Sequence, residues 1–321
     1  MPPETFPIAL FALLLDALFG YPDWIFRKIG HPVTWVGALI SLADRRLNKE
    51  DGPVNRKLLG ILTIICVAAA ASATGLLIQM AARSLPFGWA LTGVAASTLF
   101  AGRSLYSHVR DVQHALDTGG LEAGRQAVSR IVGRDPETLD CHGVARAAIE
   151  SLAENASDGV VAPVLWFMAL GLPGLAAYKA INTADSMIGH RTPRYEAFGW
   201  ASARLDDLVN LPASRLTAGL FGLAATFCAS PAGALSAVLR DAPRHRSPNA
   251  GWPEAAMAGA LGLKLAGPRS YGGVAVPDAY MGSGRADATT EDIGRALRLA
   301  KIAWLILLAT IAVCALLTVQ A

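Results

Sequence analysis

Cysteine is scarce, with four in 321 residues. Cys66, Cys141, Cys228 and Cys314 show no C-x-x-C spacing, and three of them fall in apolar runs where a thiol acts as a small hydrophobe. A structural zinc site or a disulfide framework is therefore not expected. Charge is sparse as well. Asp, Glu, Lys and Arg make up only 17% of the chain and the net charge is +3, so no broad basic face points to nucleic acid. Phosphate-loop signatures are missing, both G-x-x-x-x-G-K-[ST] and a dinucleotide G-x-G-x-x-G between strand and helix. Without internal repeats, low-complexity tracts or linkers, one domain over 1–321 is the simplest expectation.

What the chain has instead is apolar residue. Hydrophobic residues reach 53% and the mean hydropathy is +0.39, beyond an ordinary soluble domain. The expected fold is an all-α, polytopic integral membrane protein with broken or re-entrant helices and cytosolic helical loops. Leu58–Ala82, Leu85–Ala101 and Ile302–Val319 each approach the roughly 20 residues that cross a hydrocarbon core. Phe6–Gly20, Val160–Ile181, Leu211–Cys228 and Ala255–Ala266 are shorter, interrupted or polar-marked. The first lacks a basic leader and an Ala-x-Ala cleavage site, so it reads as a mature segment rather than a signal peptide. Asp16 within it needs a partner or a cavity.

Basic residues order the loops by the positive-inside rule. Arg27, Lys28, Arg45, Arg46, Lys49, Arg56 and Lys57 place a segment of about 21–57 in the cytosol, with the N-terminus outside. Arg103, Arg110, Arg125, Arg130, Arg134 and Arg146 do the same for about 102–159, and a basic region of about 240–301 follows suit. A simple crossing by Val160–Ile181 would put Arg191, Arg194 and Arg204 outside. Gly171-Leu172-Pro173-Gly174 offers a way round, because proline removes a backbone donor and glycine permits a turn. A re-entrant hairpin is expected there, tolerated where protein or a wet cavity covers its backbone. It would bring Lys179–Asp207 to the side of Glu150–Asp158, so that both polar clusters face one cytosolic site.

Arg146, Glu150, Glu154 and Asp158 recur at four-residue steps on one helical face. Three acids in line repel, so the stripe calls for a cation: Arg146, a metal or a positively charged substrate. A solvated face with an Arg–Glu pair is the plainer alternative. Lys179, Asn182 and Asp185 lie in Lys179-Ala180-Ile181-Asn182-Thr183-Ala184-Asp185-Ser186-Met187-Ile188-Gly189-His190 and suit metal, phosphate or carboxylate contacts. Asn182 and Asp185 serve equally as helix caps, and Lys179 as a snorkelling interface residue. Arg204-Leu205-Asp206-Asp207-Leu208-Val209-Asn210 is similar to acidic patches that hold Mg²⁺, or is a capped helix start. Gly30-His31-Pro32-Val33, Ser247-Pro248-Asn249-Ala250-Gly251-Trp252-Pro253-Glu254 and Tyr271-Gly272-Gly273 read as binding loops. His31 and His245 are open to acid–base or phosphate work, or are merely polar.

Ala153-Glu154-Asn155-Ala156-Ser157-Asp158-Gly159, Lys179 to Met187, Ala203-Arg204-Leu205-Asp206-Asp207 and Ser247-Pro248-Asn249-Ala250-Gly251 occur in that order. Together they resemble the adenosylcobinamide-phosphate synthases, the CobD/CbiB family of cobalamin biosynthesis. The resemblance runs from Leu15 to about Gly282 and includes Gly30-His31-Pro32-Val33. Gly20-Tyr21-Pro22 departs from the Gly-Asp-Pro expected there, which weakens a ligand role for that turn.

The resemblance implies a multi-pass enzyme of the cytoplasmic membrane with its active site facing the cytosol. It implies an ATP-dependent ligase joining the amine of (R)-1-aminopropan-2-ol, or its O-phosphate, to the propionate carboxylate of adenosylcobyric acid. Self-association, or association with other corrinoid-pathway enzymes, is compatible with it. For that chemistry Glu150, Glu154, Asp158, Lys179 and Asp185 are the catalytic expectations, with Glu150 a proton acceptor. Mg²⁺ is expected on Glu154, Asp158, Asp185, Asp206 or Asp207, and phosphate oxygens on Lys179, Arg204 and Arg191. His31, Asn155, Asn182, Ser247 and Asn249 are expected to bind substrate, with Trp252 and Tyr271 packing on the corrinoid or in the core. The alternative from another class is a corrinoid-binding, transport or sensor-like membrane protein without the reaction.

Overall fold

The computed structural model of the chain describes residues 4–49, 52–133, 136–267, 269–271, 274–276 and 278–320. Among them the helices are α1 (Thr5–Phe19), α2 (Asp23–Ile29), α3 (Pro32–Leu47), α4 (Pro53–Arg83), α5 (Gly88–Ser97), α6 (Gly102–Val128), α7 (Cys141–Ala156), α8 (Ala162–Ile188), α9 (Trp200–Cys228), α10 (Pro231–Asp241), α11 (Gly251–Leu261) and α12 (Thr290–Gln320). Four short strands precede α12: β1 (Leu265–Ala266), β2 (Arg269–Tyr271), β3 (Val274–Val276) and β4 (Tyr280–Met281). Contacts gather the chain into two compact units. One comprises Met1–Ala101, Ala162–Asn210 and Ile311–Ala321, the other Gly102–Val161 and Leu211–Thr310.

Pro53–Arg83, Cys141–Ile188 and Thr290–Thr318 are long and apolar enough to cross a membrane, and Thr5–Phe19 with Asp23–Leu47 forms a further pair bent by 101°. Two expected spans fail on length. Leu85–Ala101 holds only the ten-residue α5, about 15 Å at 1.5 Å per residue and half a hydrocarbon core. Ala255–Ala266 ends its helix at Leu261, where Gly262 turns left-handed at φ 69° and the chain enters β1. Nor is α9, which contains Leu211–Cys228, among the helices apolar enough to span.

In the first unit α4 packs along α8 and against α3. Ile40, Ile64, Val67, Ala180, Ile181, Ala184, Ile188 and Phe198 form the buried core there. Glycine lets the backbones close: a Cβ at Gly60 would lie 1.9 Å from the Phe198 carbonyl oxygen. Asp16, the charged residue of α1, is buried.

The helical run of α8 breaks where the sequence places the break. Gly171 takes φ 70°, ψ −158°, and a Cβ at Gly174 would sit 2.8 Å from the carbonyl oxygen of Trp166, eight residues earlier. A continuous helix would separate those residues by about 12 Å, so the chain doubles back. Gln79 Oε1 accepts the Leu172 N–H released by the turn, at 2.8 Å.

In the second unit α6 reverses in the same way at Gly120 and packs on α7, and α7 packs on α11. α10 and α11 meet backbone to backbone, since a Cβ at Gly259 would approach the Gly233 carbonyl oxygen to 2.2 Å. β1 pairs antiparallel with β4, and β2 with β3. The described elements are otherwise helical, as the all-α expectation has it, with this small pair of β-ladders in the segment read as a helical loop.

Candidate functional site

Glu150 and Glu154 stand one turn apart on α7 and line one cavity of about 230 Å³. Their four-residue spacing puts them on the same face, as the sequence reading expects. Glu150 is buried, and its Oε1 accepts the Ala266 N–H at 2.9 Å. Ala266 itself is held at φ 53°, a left-handed conformation costly for a residue with a Cβ. Glu154 and Asn155 are exposed, and Asn155 folds back so that its Nδ2 donates to the Ser151 carbonyl at 2.9 Å. Asp158 leaves the stripe. Ser157–Val161 form a π-turn, whose extra residue shifts the helical phase after Glu154, and such turns gather at functional sites. Arg146 donates from its guanidinium to the Ala286 carbonyl.

The opposite wall of this cavity is the Ser247-Pro248-Asn249 loop and the start of α11, contributing His245, Arg246, Ser247, Ala250 and Glu254. Ser247 Oγ accepts the N–H groups of Asn249 and Ala250, both at 3.2 Å, and so shapes the turn. Buried Asn249 accepts from Ser214 Oγ and from Arg215 Nη1, both at 3.3 Å. Arg215 also donates to the Pro248 carbonyl at 2.9 Å and stacks over Trp252, 4.4 Å from the ring centre. Asn249 and Trp252 therefore build the loop. Tyr271 ends β2, and its side chain lies outside the described residues.

Sequence reasoning does not single out Glu254, which also lines this cavity. It is the sole acid between Trp252 and Gly262, a signal in itself, and it is 1% exposed with Oε2 3.8 Å from His245 Nε2.

Lys179, Asn182, Asp185, Arg191, Arg204, Asp206 and Asp207 belong to the other unit. There α8 and the start of α9 run antiparallel through two polar rungs. Asn182 Nδ2 donates to Asp206 Oδ1 at 3.3 Å, and one turn away Tyr178 Oη donates to Asn210 Oδ1 at 2.9 Å. Arg204 reaches Asp207 at 3.6 Å. Burial pushes the Asp207 carboxyl above its ordinary range, against the pull of Arg204 and Arg191. The Asp185 carboxylate lies over Gly189, where a Cβ would come within 1.9 Å of Oδ1.

Lys179 lines an apolar cavity of about 280 Å³ with Pro32, Val33, Leu172 and Thr183, and its charge reaches the His31 ring. His31 caps α3, its Nδ1 accepting the Val33 N–H at 3.1 Å, while the Thr98 backbone also bonds the ring. Both contacts are to backbone groups.

Among the described residues no three His, Cys, Asp or Glu side chains cluster to hold a metal. Magnesium asks for less, being held by one or two carboxylates with waters and substrate phosphates. Asp206 offers carboxylate oxygens of that kind, with Asn182 presenting its amide nitrogen to Oδ1.

Relatives extend along almost the whole chain. A cobalamin biosynthesis protein CobD from Sinorhizobium fredii is 51% identical over 299 residues, covering 92% of each chain. The protein of the same name from Rhodobacter capsulatus is 50% identical over 291 residues and 90% of each, and that from Brucella anthropi 49% over 298 residues and 90% of each. No solved structure matches. The family model described as CobD/Cbib protein matches residues 9–300, and with that coverage the chain belongs to the CobD/CbiB family.

Proposed function

We propose that this chain works in cobalamin biosynthesis, as its relatives' name states of them, and that it forms an amide at the expense of ATP. Its substrates on this reading are adenosylcobyric acid and (R)-1-aminopropan-2-ol or its O-phosphate. The observation that carries the reading is the acid-walled cavity of about 230 Å³ holding Glu150, Glu154 and Glu254. It is too small for a corrinoid and suits a compact cation, which is what an alkylamine is at neutral pH.

A carboxylate is a poor electrophile, so the propionate must first take the γ-phosphoryl group of ATP and become an acyl phosphate. The amine then attacks the carbonyl carbon, the C–N bond forms and phosphate leaves. Glu150 and Glu154 draw the ammonium into position by charge. Mg²⁺ would be held by Asp206 and Asp207, or alternatively by Glu154, Asp158 or Asp185, and the ion when bound neutralises phosphate oxygens. Lys179, Arg191 and Arg204 supply cations for phosphate oxygens.

The three apolar spans support a membrane location, and the basic segments 21–57, 102–159 and 240–301 support a cytosolic site. The reversal of α8 at Gly171 favours a second reading, since transporters build midplane sites on broken helices.

Turnover decides. Detergent-purified protein given adenosylcobyric acid, Mg-ATP and aminopropanol phosphate is expected to yield the amide by mass and ADP in equal amount. Tight corrinoid binding without amide, from folded protein and with free aminopropanol or native lipid supplied as well, would replace the ligase with the transport reading.

A further inference from the structure

Before an amine attacks it must lose a proton, and the acid stripe does not contain the group best placed to take it. Glu150 is engaged by the strained Ala266 backbone. Of the groups lining the cavity, His245 differs from the rest. Its side chain is 6% exposed, yet among the described residues its Nε2 makes no hydrogen bond. A buried imidazole nitrogen left so costs stability unless something visits it.

The surroundings of the ring suit a group that gains and loses a proton. Nδ1 lies 3.0 Å from the Ser247 N–H and 3.2 Å from the Ser247 carbonyl oxygen. When Nδ1 accepts from the N–H, Nε2 carries the proton. When Nδ1–H donates to the carbonyl instead, Nε2 presents its lone pair. The Ser247 backbone therefore supports either tautomer without moving the ring. A protonated ring is served as well, with Nδ1–H on that carbonyl and Glu254 Oε2 facing Nε2 from 3.8 Å. Gly251 leaves room for all of this, since a Cβ there would meet the His245 Cβ at 2.4 Å. Besides Glu254, the charged groups around the cavity are Glu150, Glu154, Arg246 and Asp278.

We propose that His245 is the general base of the amide-forming step and that Glu254 is its positioning residue. The inference rests on the ligase reading. One proton of the ammonium passes to Nε2, and the freed lone pair forms the C–N bond to the acyl phosphate. The C–O bond to phosphate breaks and takes its electron pair with the leaving group. A second amine proton departs with the phosphate as hydrogen phosphate, and the imidazolium returns its own to solvent. From the sequence, Glu150 is the expected base for this step. Here the carboxylates attract the amine and the histidine deprotonates it.

The test compares two nucleophiles. Aminopropanol is an ammonium at neutral pH, whereas hydroxylamine is uncharged and needs no base to expose its lone pair. His245→Gln keeps an acceptor for the Ser247 N–H but is not a base. It is expected to lose on the order of 100-fold or more in amide formation with aminopropanol and less than about threefold in hydroxamate formation. Glu254→Gln, which keeps the side-chain shape, is expected to show the same selectivity at roughly tenfold, and serves alone if the histidine variant does not fold. Equal losses with both nucleophiles, or none with either, would overturn the assignment while wild-type turnover kept the ligase reading intact. A wild-type protein that makes neither product overturns both.

Discussion

Glu150 carries two duties that a single substitution can separate. Its carboxylate faces an amine-sized cavity, and the same side chain accepts the N–H of Ala266, a buried residue held in a left-handed turn. Glu150→Ala leaves that N–H without its acceptor, at a cost of about 1–3 kcal/mol. Glu150→Gln keeps an oxygen in place and removes the charge. Thermal unfolding in detergent is therefore expected to show a lowered midpoint for the alanine variant and one near wild type for glutamine. Turnover with aminopropanol is expected to fall in both. A glutamine variant as unstable as alanine would show that charge, and not the hydrogen bond, holds the Ala266 turn.

At the scale of the element, bare glycine positions decide which helices meet and where they bend. α10 and α11 approach so closely at Gly233 and Gly259 that neither position has room for a methyl group. Gly259→Ala forces these helices apart and is expected to cost about 1–3 kcal/mol. Gly219 in α9 is different, because a Cβ added there would have nothing within 4 Å. Gly219→Ala is expected to add up to about 1 kcal/mol through helix propensity. Opposite shifts in the unfolding midpoints of the two variants are the outcome to look for. Because α11 carries Glu254 into the cavity, the Gly259 variant is also expected to lose turnover.

At the scale of the whole molecule, the side of the bilayer to which the cavity opens can be read from a single thiol. Cys141 is exposed at the start of α7, in the basic segment 102–159 that the positive-inside rule puts in the cytosol. It is a natural reporter. In a variant with Cys66, Cys228 and Cys314 replaced by alanine, a membrane-impermeant maleimide is expected to label Cys141 only after spheroplasts are opened. Labelling of intact spheroplasts would reverse the orientation and remove the cytosolic reading of the α7 cavity with it.

Much of this protein follows from one-dimensional information. Composition demands long apolar helices, and α4 and α12 appear where the runs stand, because a span needs only length and hydropathy. The α8 break is legible for an equally local reason, as Gly171 and Pro173 cannot continue a helix undisturbed. Four ordered motifs suffice for the family. Local pattern fails where distant segments decide the outcome. A four-residue step carries Asp158 on the stripe, but the π-turn at Ser157 changes the phase. Leu85–Ala101 is apolar enough to span, yet its helix is ten residues long. His31 reads as a ligand, and its Nδ1 caps α3. The pairing of His245 with Glu254, and the use of Glu150 to hold Ala266, depend on contacts across a turn and across more than a hundred residues. Periodicity and hydropathy are properties of neighbours along the chain, whereas a buried polar group finds its partner wherever packing brings one, and only the tertiary structure decides that.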